Sequence, residues 1–151
     1  DSDVADAPLP ADALAKLVEF IGDAKVVAHN AEFDRTFTTR HPSGYPLLEN
    51  TWIDSLDLAR IALPRMNRIA CSILTGFRRA FVDTSRRCDV EATCAIFRIL
   101  LAGVAAMPAG AVCEIAHMAT PDEWSTRMVF EQFARKYEVE ANQDVSREHQ
   151  V

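Results

Sequence analysis

The chain has 151 residues, of which 49% are apolar and 25% charged, and carries a net charge of −6. That is enough apolar material for one domain with a real core and a small appendage. It contains no run of eighteen apolar residues and no basic-then-apolar leader, so neither a transmembrane helix nor membrane association is expected.

Residues 1–10 are acidic, carry Pro8 and Pro10, and read as a leading loop. The first residue is Asp1 rather than Met, which points to a processed or excised piece of a longer chain. From Ala11 to Ile21, Leu14, Leu17, Val18 and Ile21 recur at helical spacing, and Gly22 closes an amphipathic helix. Val26, Val27 and Ala28 form a short apolar run that stops at the polar pair His29–Asn30. This predicts a buried strand over 25–29 feeding a helix over 31–40, with Asn30 as the N-cap. At ~100° per residue, Asp34 falls on the same half of that helix as Ala31, Phe33 and Phe37, the half expected to face the core. A carboxylate there needs a partner, and a metal ion is an economical one.

Residues 41–46 contain Pro42, Gly44 and Pro46 and predict an irregular loop. Thr51 to Asp54 predicts a second strand, followed by a helix through Leu56, Leu58, Ala59 and Ile61 that Pro64 stops. A short helix is expected over 69–77 and a connecting loop, carrying Asp83, over 78–84. Between Arg60 and Arg87, seven arginines against one acid put +6 on that segment and leave −12 on the remainder. A basic stretch beside acidic side chains suits a site that holds phosphates, although a solvated arginine-rich loop has the same composition.

Arg86 to Val104 is the longest periodic segment and predicts a largely buried helix, with Asp89 on the inward stripe of Thr93, Ile96 and Leu100. Arg87, Glu91 and Arg98 fall on the opposite line, and Val90, Cys94, Phe97 and Leu101 extend the apolar surface. Two further helices are expected over 109–119 and 122–137, with a polar, frayed end after them. The four cysteines show no C-x-x-C pair and no zinc-finger spacing, so a reducing, cytoplasmic setting is expected.

Three stretches together resemble a known family. His29-Asn30-Ala31-Glu32-Phe33-Asp34 matches the Exo II signature, H-N-A-x-F-D, of the DnaQ-like 3′–5′ exonucleases of the RNase H-like superfamily. Cys88-Asp89-Val90-Glu91-Ala92-Thr93 resembles Exo III, and Ile53-Asp54-Ser55-Leu56-Asp57-Leu58-Ala59-Arg60 resembles the segment between them. The resemblance implies an α/β fold of RNase H-like type that lacks its first strands, predominantly helical with a small parallel sheet remnant. It implies an exonuclease segment over 1–104 and a helical extension or connector over 105–151.

The same resemblance implies phosphodiester hydrolysis at the 3′ ends of single-stranded DNA by two Mg²⁺ or Mn²⁺ ions ~4 Å apart. Asp34 and Asp89 would supply two of the four metal-binding carboxylates, and His29, Asn30, Phe33, Arg86 and Arg87 would contact nucleic acid. The C-terminal pattern from Met107 to Phe133 is similar to the connector of DinG-type exonuclease–helicase fusions, and the expected partner is a helicase or polymerase region in the same or another chain. Two parts of the family's site have no counterpart. No strand carrying D-x-E (Exo I) stands before residue 11, and the general-base positions are occupied by Thr84 and Ser85. His41 shares its half of the helix with Asp34 but does not stand where the family places its base. The chain alone is therefore expected to be inactive or nearly so. The alternative is a non-catalytic nucleic-acid-binding or protein-docking module of the same fold.

Overall fold

In the computed structural model, residues 7–64, 86–118 and 124–148 are described, the side chains of 86–89 and 142–148 excepted. The expected helix over 69–77 and the loop with Asp83 lie outside them. The described residues are mostly helical with one small parallel sheet, a pattern consistent with an α/β class. The chain divides into two compact units, Asp1–Asp54 and Ser55–Val151.

The first unit begins with α1 (Pro10–Ile21), whose Pro10 sits at the first helical position, where its missing N–H costs nothing. Leu14, Leu17, Val18 and Ile21 are half-buried along one side, as the spacing predicts, while Phe20 on the other side is exposed. Gly22 ends the helix at φ 49° and ψ −128°, a backbone conformation that side chains avoid, and its N–H donates to the Val18 carbonyl. The Asn50 side-chain amide donates to the carbonyls of Gly22 and Ala24 at 2.7 and 2.9 Å, which fixes the turn into β1 (Val26–Ala28).

β1 pairs in parallel with β2 (Trp52–Asp54), in the register Val26 to Trp52, Val27 to Ile53 and Ala28 to Asp54. Between the strands lie α2 (Ala31–Thr38) and a 3-10 helix (Pro42–Leu48). The expected irregular loop over 41–46 is thus regular. The His41 Nδ1 accepts from the Ser43 N–H at 3.2 Å, Pro42 starts the helix, and the looser i to i+3 pattern accommodates Pro46. Gly44 is buried against α2. Leu47, Ala31 and Trp52 form the unit's core, covered by Leu17, Val18, Ile21, Val26 and Ala28. The buried Trp52 indole N–H donates to the Leu47 carbonyl at 2.9 Å.

Among the described residues of the second unit are the α-helices α3 (Ser55–Ala62), α4 (Arg86–Ala105), α5 (Ala109–His117) and α6 (Arg127–Glu148). Leu58, Leu100, Val104, Val112 and Phe130 are its most buried apolar side chains, and Trp124 stacks on Phe130 with ring centroids 6.1 Å apart. The expectation that α4 is largely buried holds for one side only. Ala92, Leu100 and Val104 are buried, whereas Val90, Cys94, Arg98, Ile99 and Ala102 are exposed. α6 starts later than the pattern predicted and continues through the polar stretch expected to fray. That stretch is rich in good helix formers, and it continues a helix in whose earlier turns the pairs Arg127–Glu131 (3.0 Å) and Lys136–Glu140 (3.9 Å) lie four residues apart. Among the described residues, no single helix is long and apolar enough to cross a membrane.

Candidate functional site

The stretch His29 to Asp34 occupies the carboxyl end of the parallel pair, where β1 gives way to α2. In open parallel sheets, ligands gather beyond the carboxyl ends of the strands. Only His29 and Asn30 separate the last strand residue, Ala28, from the first helical residue, Ala31. So short a connection must reverse sharply. Asn30 does so in the left-handed conformation, at φ 67° and ψ 59°, which Asn tolerates better than most residues with a side chain.

This corrects the expected N-cap. A capping side chain works from an extended backbone, and the Asn30 side chain makes no cap hydrogen bond. The acceptor comes instead from the neighbouring strand. One carboxylate oxygen of Asp54 accepts the Asn30 N–H at 3.0 Å, and the other accepts the Ala31 N–H at 3.2 Å. Asp54 ends β2 in register with Ala28, so its carboxylate stands at the level where α2 begins. The helix presents unsatisfied N–H groups and a partial positive charge at this end, and a carboxylate complements both.

The second correction concerns which side of α2 faces inward. Phe33 and Phe37 were expected toward the core, yet each is 65% exposed. The rings lie 6.4 Å apart, centroid to centroid, with their planes 13° from parallel. The inner side is instead Ala31, which is buried, with Asp34, Arg35 and Thr38 half-buried at helical spacing from it. The buried surface is small and partly polar: Thr38 Oγ1 donates to the Asp34 and Arg35 carbonyls at 2.8 and 3.1 Å, and Thr39 Oγ1 to the Arg35 carbonyl at 2.8 Å. Arg35 Nε is buried there with no hydrogen-bond partner among the described residues.

Of the sequence-predicted residues, His29, Asn30, Phe33 and Asp34 thus sit together on one strand–turn–helix. His29 and Asp34 are half-buried, and Asn30 is exposed. Asp89, Arg86 and Arg87 lie in the first turn of α4, and their side chains fall outside the described residues. Position 89 shares its helical phase with Ala92, Ile96 and Leu100, which are buried or half-buried. His41 is engaged as the cap of the 3-10 helix. Sequence reasoning missed Asp54 as a member of this cluster. The signal was available: an acid at the end of one strand, beside a helix whose own cap candidate must turn too sharply to cap it.

Asp34 is a hard oxygen donor of the kind that Mg²⁺ and Mn²⁺ take. Among the described residues, however, no group of three or more His, Cys, Asp or Glu comes together to hold a metal ion.

The chain is similar to two curated proteins described as DNA polymerase III PolC-type. With that of Caldanaerobacter subterraneus subsp. tengcongensis it is 35% identical over 100 residues, 64% of this chain and 7% of the relative. With that of Bacillus cereus it is 35% identical over 94 residues, 56% of this chain and 7% of the relative. The similarity therefore concerns a small part of a much longer polymerase chain. No protein-family model matches this sequence, and no solved structure matches it.

Proposed function

We propose that this chain is part of a metal-dependent 3′–5′ exonuclease that trims single-stranded DNA ends in the service of a DNA polymerase. The observation that carries this reading is the strand–turn–helix His29–Asp34, which ends β1 and sets an acid in the first turn of α2 beside the end of a parallel strand pair. The similarity to polymerase chains supports a role in DNA replication and favours a polymerase over a helicase region as the partner.

In this reading Asp34 and Asp89 are two of the carboxylates that hold Mg²⁺ or Mn²⁺, which would supply the activated water and charge stabilisation of phosphodiester hydrolysis. His29 and Asn30 border the scissile end, the exposed Phe33 ring offers a face for a base, and Arg86 and Arg87 take phosphates. Residues 1–104 carry the nuclease segment and 105–151 its helical extension. A non-catalytic nucleic-acid-binding or docking module is the second reading, favoured by Thr84 and Ser85 at the positions where the resembled family carries its general base.

Calorimetric titration with Mn²⁺, on the wild-type chain and on Asp34→Asn, separates the two. Binding by the wild type that falls at least about tenfold in the variant, a loss of about 1.4 kcal/mol, supports the metal site. Single-strand DNA binding without any Mn²⁺ binding, also in a chain extended upstream to include a strand carrying D-x-E, overturns the catalytic reading and leaves the docking module.

A further inference from the structure

We infer that Asp54 is a positioning residue for Asp34: by capping α2 from the neighbouring strand, it fixes the turn of helix from which Asp34 projects. This rests on the proposed role of Asp34, although the cap itself does not. α2 has only eight residues, and Ala31 is its one fully buried side chain. A helix this short, with so little apolar burial, has little else to hold its first turn. Its own preceding residue cannot serve, because Asn30 is left-handed and makes no side-chain cap. The two Asp54 oxygens, 3.0 and 3.2 Å from the Asn30 and Ala31 nitrogens, take over that task.

The geometry has a consequence for Asp34. The Phe33 N–H already bonds back to the Asn30 carbonyl at 3.0 Å, so Asn30 to Phe33 form one closed turn, and Asp34 is the next residue. Asp54 pairs in register with Ala28, so the carboxylate ties this turn to the end of the sheet as a whole. Removing it frees two N–H groups and the charge that favours this helix end, and the first turn then frays while the rest of the unit keeps its core. Asn at position 54 keeps one acceptor oxygen but turns an NH₂ toward the second N–H, so Asp54→Asn is the graded variant and Asp54→Ala the complete one.

The test is amide hydrogen exchange by NMR on the full chain, read together with the carboxyl-carbon resonance of Asp34. In Asp54→Asn, protection at Asn30 and Ala31 falls about tenfold or more, the loss extends to Asp34, and the Asp34 resonance moves, while Leu17, Val18 and Trp52 stay protected. If Asp54→Ala does not fold, Asp54→Asn decides. Unchanged protection at Ala31, or lost protection with an unmoved Asp34 resonance, overturns the inference. Mn²⁺ titration of the same samples distinguishes the two levels of the argument. Weaker Mn²⁺ binding in Asp54→Asn supports positioning of a metal ligand. Without Mn²⁺ binding by the wild type, the exchange data decide the role of Asp54 alone.

Discussion

The rings of Phe33 and Phe37 stack one turn apart on α2, 6.4 Å between centroids, and both face away from the core of their unit. Helical spacing alone made them core candidates. What turned them outward is the set of neighbours: β2 and the 3-10 helix pack on the Ala31 and Thr38 side. Replacing Phe33 by Ser therefore changes folding stability by no more than ~0.5 kcal/mol, because little burial is lost. If the ring carries a stacked base, the same substitution weakens single-strand DNA binding by about 1–3 kcal/mol. Thermal melts and fluorescence anisotropy with a labelled oligonucleotide check the two parts separately.

Gly44 and Gly22 are both needed, for different reasons. A Cβ on Gly44 overlaps the Thr38 backbone carbonyl oxygen, so Gly44→Ala pushes the 3-10 helix off α2 and costs about 1–3 kcal/mol. At Gly22 a Cβ meets nothing within 4 Å, and the cost of Gly22→Ala is the strained backbone at φ 49°. Urea denaturation of each variant reads the loss. Only Gly44→Ala should also disturb the near-ultraviolet signal of Trp52, whose indole bonds to the 3-10 helix at Leu47.

Trp52→Phe keeps most of the apolar volume of the buried indole and removes its N–H. The Leu47 carbonyl then loses the donor it has at 2.9 Å in a buried setting, and stability falls by about 1–3 kcal/mol. A denaturant midpoint unchanged from wild type would show that water replaces the indole.

Arg86→Ala combined with Arg87→Ala tests whether the start of α4 holds phosphates. Two phosphate contacts to a single strand contribute roughly 1.4 to the salt dependence of binding. The double variant should bind single-stranded DNA more weakly, with a slope of log affinity against log salt that is shallower by about that amount. An equal slope would place both arginines away from the nucleic acid.

Much was legible in the sequence because it depends on neighbours along the chain. The apolar spacing of Leu14, Leu17, Val18 and Ile21, with Gly22 after it, gave α1 and its stop. The short stretches at 26–28 and 51–54, each followed at once by helical spacing, predicted two strands feeding two helices, while their parallel pairing was implied by the family resemblance. The cluster His29, Asn30, Phe33 and Asp34 was visible for the same reason, since one turn of helix brings these residues together.

The tertiary structure alone decided which acid caps α2, and which side of α2 faces inward. Asp54 lies twenty-three residues from Ala31 in the chain, and only the register of β1 against β2 brings its carboxylate to the helix start. Periodicity defines a stripe on a helix but not the surface that will cover it, so Phe33 and Phe37 could be grouped from sequence and still be assigned to the wrong side. Local spacing sets secondary structure because its hydrogen bonds are short-range; burial and capping are set by whichever segments the fold brings alongside.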